Sequence, residues 1–89
     1  MISREVKIIN KLGLHARASS KLVELASSFK SNITISKDNK SANAKSLMSV
    51  MMLAAANGSI ILIHASGEDQ ELAIDALCNM INSKFGEAD

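Results

Sequence analysis

The hydrophobic period of this chain switches back and forth between two and about 3.6 residues, which restricts its fold more than any other feature. In residues 2–9, Val6 and Ile8 alternate with Glu5 and Lys7, the pattern of a half-buried first strand. Residues 16–29 carry Ala18, Leu22, Leu25, Ala26 and Phe29 at helical spacing, with Lys21, Glu24 and Ser28 elsewhere, which predicts an amphipathic helix. Ile33 and Ile35 alternate with Thr34 and Ser36 in a second strand. Lys37-Asp38-Asn39-Lys40 reads as a turn into a short third strand near 41–43. Ser46 precedes Leu47, Val50, Met51 and Ala54 and reads as the N-cap of a short helix, which Asn57-Gly58 should stop. Within 59–66, the run Ile60-Ile61-Leu62-Ile63 reads as a central strand. Asp69 is placed to cap a last helix with Ala73, Leu77, Met80 and Ile81 as its buried stripe and Lys84 and Gly86 at its end. The order is βαββαβα. One amphipathic sheet covered on one face by helices is the economical layering. The pattern alone does not separate parallel crossovers from hairpins.

Segments this short, with no proline and no linker between them, leave no place for a second domain or a lid. The chain has 89 residues, 47% of them apolar, so 1–89 reads as a single domain with one core. A carrier, binding module or small regulator fits better than an enzyme with an enclosed site. Lys plus Arg is 10 and Asp plus Glu is 9, a net charge of +1 without the basic excess of a nucleic-acid binder. Aromatics at 2% supply no platform for stacking bases. The single cysteine, Cys78, excludes an intrachain disulfide and a cysteine-rich zinc site, which points to a reducing compartment. Beside Leu77 and Met80 it reads as packing. The start MISREVKIIN has no apolar core of a signal peptide. The longest apolar stretch, 47–56, is interrupted by Ser49 and is too short to span a bilayer. A cytoplasmic protein is expected, with no membrane insertion.

Gly13-Leu14-His15-Ala16-Arg17 lies where the first strand gives way to the first helix. Gly13 permits a sharp turn there, so His15 falls on a loop or at a first helical turn. Helix N-termini present free N–H groups and partial positive charge, a ready place for phosphate. Arg17 adds a fixed cation able to form charge-assisted bonds to phosphate oxygens. An imidazole, a helix N-terminus and an arginine suit a histidine that receives a phosphoryl group. A histidine at a helix start can equally be a plain exposed polar residue. His64, late in the apolar strand, has no phosphate-binding turn beside it in sequence and reads as a strand-end polar residue. Leu47, Met48, Met51 and Met52 cannot all face one core from a short helix, so some of them are left for docking partners.

The motif at 13–17, followed by Ala44-Lys45-Ser46-Leu47-Met48, resembles the HPr family, the histidine phosphocarriers of the bacterial phosphoenolpyruvate-dependent phosphotransferase system. The resemblance runs on through Asn57-Gly58, the strand at 60–65 and Gly67-Glu68-Asp69, nearly the whole chain. It implies an α+β, HPr-like open-faced β-sandwich: a four-stranded antiparallel sheet, order 1-4-2-3, with three helices on one face. It also implies that His15 accepts a phosphoryl group on Nδ1 from phospho-enzyme I and passes it to a IIA-type domain, with Arg17 assisting. Ser46 matches the position that HPr kinase/phosphorylase modifies in many relatives, and Leu47, Met48 and Met51 match the docking surface. No metal or cofactor is expected, because the partner supplies half the site, and a monomer with no turnover of its own is expected. Many relatives carry proline where this chain has Ala18, and a polar residue where it has Leu12. Two alternatives stay open: a regulatory interaction module switched at Ser46, and a nitrogen-branch phosphocarrier homologue.

Overall fold

The computed structural model describes residues 1–87. Its elements run β1 (Ile2–Lys7), α1 (Ala16–Ser27), β2 (Asn32–Lys37), β3 (Lys40–Asn43), α2 (Leu47–Met52), β4 (Ile60–Ser66) and α3 (Gln70–Asn82), closed by a 3₁₀ turn at Lys84–Gly86. The strands form one sheet in the order β1-β4-β2-β3, and every pairing is antiparallel. The fold is therefore the open-faced sandwich that the resemblance implied. The parallel arrangement that the pattern left open does not occur among these strands.

The register explains which face is covered. Val6 stands opposite Ile61, Ile63 opposite Ile35, and Ile35 opposite Ala42, so the apolar residues form rows across one side. Those rows pack with Leu22, Val50, Leu53, Ile74, Leu77 and Ile81 from the helical side, all fully buried. The alternate positions, among them Glu5, Thr34, Ser36 and His64, lie on the uncovered side. His64 there meets the Ser3 hydroxyl at 2.7 Å through Nδ1.

Several local expectations are corrected. The first strand stops at Lys7 and not at residue 9: the Ile8 N–H still bonds Ser59 O, but the Ile8 carbonyl accepts from Gly58, one residue out of register. Helix α1 ends at Ser27, and Phe29 returns its N–H to Ala26 in a closing turn. Helix α2 ends at Met52, well before Gly58; Leu53 is buried and Ala54 takes a left-handed φ of 52°. Ser46 and Asp69 do occupy N-cap positions, but neither makes a side-chain capping bond. The Ser46 hydroxyl bonds the Ser49 hydroxyl at 3.0 Å. The Asp69 carboxylate ties down the turn before β2, accepting from the N–H groups of Lys30 and Ser31 and from the Ser31 hydroxyl. Those bonds, the Ser31 hydroxyl first, hold its pKa below the ordinary 3.8. Met80 is only partly covered, and Ile74 and Cys78 take its place in the buried stripe of α3.

Candidate functional site

The segment between β1 and α1 is pinned at almost every residue. Ile8 donates to Ser59 O at 2.8 Å and accepts from Gly58 at 2.7 Å. The Asn57 amide bridges the carbonyls of Ile9 and Asn10. Asn10 is wholly buried and donates Nδ2 to Gly13 O at 2.8 Å, closing the turn from inside. Its Oδ1 meets no donor among the described residues. Gly13 adopts φ +63°, and a Cβ there would stand 2.5 Å from Ala55 O. Only glycine satisfies both the conformation and the approach. Leu14, buried, bonds Ala55 O through its N–H at 2.8 Å, which presses this loop against the segment that follows α2.

His15 emerges from that frame as the N-cap of α1, with φ −72° and ψ 176°. Its carbonyl accepts the Ser19 N–H at 2.8 Å, while its ring makes no capping bond. The first N–H groups of α1, from Ala16 to Ala18, have no acceptor inside the helix. No acidic residue occupies that first turn. Arg17 is exposed on it and enters no ion pair among the described residues. Ala18, at the position of the usual proline, points into the core with no exposed area.

The side chain that sequence reasoning missed is Glu87. Its Oε2 lies 2.7 Å from His15 Nε2, and its Oε1 accepts from Asn10 Nδ2 at 3.2 Å. The chain reaches this place through two left-handed residues, Lys84 (φ 60°) and Phe85 (φ 57°). Phe85 is buried, and its carbonyl accepts from Lys21 Nζ at 2.7 Å. The hydrogen bond from His15, joined by Asn10 and by the charge of Lys21, holds the Glu87 carboxyl below its ordinary 4.5 against partial desolvation. No local signal marked Glu87, which lies 72 residues along the chain from His15.

Of the other expected site residues, Ser46 opens α2, and α2 packs against α1. Leu47 and Met48 are exposed, at 38% and 68%. Met51 is half-buried, and it is Met52, at 71%, that joins the exposed pair. Leu12, 66% exposed just before Gly13, adds a further apolar side chain to the His15 loop. Among the described residues no cluster of His, Cys, Asp and Glu could hold a metal ion, and no helix is long and apolar enough to cross a membrane.

The sequence profile of the family described as the PTS HPr component phosphorylation site matches residues 2–83. The chain belongs to the HPr family. It is 48% identical to the phosphocarrier protein HPr of Cupriavidus necator over the full length of both chains. It is also 45% identical to the phosphocarrier protein NPr of Shewanella violacea, over 98% of this chain and 96% of that one. A crystal structure of HPr from Thermoanaerobacter tengcongensis superimposes with a TM-score of 0.97, at 46% identity and complete coverage of both chains. A second structure of HPr from that organism, described as a dimer, gives 0.79 at 47% identity, covering 98% of this chain and 100% of that one. HPr membership makes this chain a phosphocarrier of the phosphotransferase system.

Proposed function

We propose that His15 is the residue that carries the phosphoryl group, received from a phosphohistidine of enzyme I and handed on to IIA-type acceptor domains. The observation that supports this most is the partly exposed imidazole set at the open N-terminus of α1, with Arg17 on the same first turn. The lone pair of a neutral ring nitrogen, Nδ1 in the family, attacks phosphorus. The unpaired N–H groups and the Arg17 guanidinium balance the charge of the phosphoryl oxygens. Modest binding serves a carrier, since a phosphoryl group held too tightly would not be released. The chain acts on this reading as one HPr unit of 89 residues, a cytoplasmic monomer whose chemistry needs a partner for every step.

Ser46 is proposed as a regulatory phosphorylation site for an HPr kinase/phosphorylase, and Leu47, Met48 and Met51 as part of the docking surface for the partner proteins. The support is position: Ser46 caps α2 and the other three lie on it, and α2 packs against α1, the helix that His15 caps. Incubation with phosphoenolpyruvate and enzyme I, followed by mass mapping, tests the central claim. An acid-labile phosphate on His15 is expected; a protein left unmodified overturns it. The similarity to NPr favours a second reading, service in a nitrogen-regulatory branch. Comparing phosphorylation rates with sugar-type and nitrogen-type first enzymes separates the two.

A further inference from the structure

The ring of His15 is held from behind. An ionised carboxylate has no proton to give, so the 2.7 Å contact between Glu87 Oε2 and His15 Nε2 requires the hydrogen to sit on Nε2. In the neutral ring the lone pair is then on Nδ1. Asn10 fixes the carboxylate in turn. Its Nδ2 faces two acceptors, Gly13 O at 2.8 Å and Glu87 Oε1 at 3.2 Å, so flipping the amide would set oxygen against oxygen. The unpaired Oδ1 of this buried residue shows that the orientation is imposed by those two contacts. Two anchors hold the tail itself: Phe85 in the core and Lys21 on the Phe85 carbonyl.

Resting on the carrier reading above, we propose that Glu87, clamped by Asn10, is a positioning residue that keeps the proton of His15 on Nε2 and turns Nδ1 toward the incoming phosphoryl group. In the transfer, the Nδ1 lone pair forms the new N–P bond. The donor nitrogen keeps the electron pair of the bond that breaks, and the Nε2 proton stays in place. The phosphorylated ring then carries a positive charge, and the Glu87 carboxylate faces it. The same contact both orients the nucleophile and stabilises the product, as a carboxylate does behind a catalytic histidine. The side chains of His15 and of Lys21 on α1 act on the Glu87 carboxylate, and among the described residues no second carboxylate bonds the His15 ring.

The test uses the full chain with Glu87→Ala and Glu87→Gln. Proton–nitrogen NMR of the histidine-labelled protein should show an Nε2–H of His15 protected from exchange with water in the wild type. Glu87→Ala should lose that protection and accept phosphate from enzyme I about tenfold more slowly, with its backbone amide spectrum otherwise kept. Glu87→Gln retains an acceptor without the charge, so it should keep most of the protection and recover part of the rate. An Nε2–H equally protected in Glu87→Ala, or a wild-type transfer rate in that variant, overturns the proposal. Failure of the wild type itself to take up phosphate refutes the carrier reading instead, so the two failures are distinguishable.

Discussion

His15→Ala removes a ring that contributes nothing to the buried core, so the variant should fold normally and accept no phosphoryl group. Circular dichroism checks the first half, and the enzyme I assay checks the second. Arg17→Ala takes away one exposed cation and should slow transfer about tenfold to a hundredfold without removing the acceptor, the worth of one charged hydrogen bond. An unchanged rate would make Arg17 a bystander. At this scale legibility followed contiguity. His15 and Arg17 stand within one short motif, and Gly13 announced the turn that exposes them. Asn10 and Glu87 were not legible. A buried amide and a surface acid look alike in sequence until the left-handed turn at Lys84 and Phe85 brings one onto the other.

Among the elements, the junction of β1 with α1 leaves little room for substitution. Gly13→Ala adds a methyl group against the Ala55 carbonyl at a φ that favours glycine. It should cost roughly 3 kcal/mol of stability in denaturant titration, the sum of strain and overpacking. A loss under about 0.5 kcal/mol, the size of an ordinary surface change, would mean that the loop relaxes freely. Helix α2 carries the second element-scale prediction. Ser46→Asp places an anion at the N-cap of a six-residue helix, where negative charge is tolerated, so the fold should survive. Phosphorylation by enzyme I should weaken through a higher apparent KM, because the new anion makes the patch harder to desolvate and repels the acidic partner surface that the family resemblance implies. High salt should restore part of the loss. A wild-type rate in low salt would leave Ser46 with no switching role. The sequence predicted every one of these elements because each period spans several residues. Their ends were read less well. Helix α2 stops at Met52 because Leu53 is drawn into the core and Ala54 turns left-handed, a tertiary demand that overrides the local stop signal at Asn57-Gly58.

For the molecule as a whole, the acid limb of stability is set in part by Asp69 and Glu87, whose carboxyls are both depressed by native hydrogen bonds. A depressed folded value means that the stabilisation is complete above the ordinary carboxyl range. It is lost as pH falls through the lowered folded values. Asp69→Asn should therefore flatten the decline of stability on acidification below about pH 4, measured by urea unfolding at stepped pH; a decline as steep as the wild type's would show that Asp69 has no part in it. The architecture as a whole was legible in the order of periods, and the strand order came from the family resemblance. The order β1-β4-β2-β3 also sets a timetable. The first strand synthesised bonds only to the last, Ile2 standing opposite Ala65. A growing chain can close the β2–β3 hairpin and wind α1 while still short, but β1 waits unpaired until residues 60–66 have left the ribosome. Joining them means closing the largest loop in the sheet, the slow step that loop entropy predicts. Until then the nascent protein offers an open strand edge to whatever holds it in the cell.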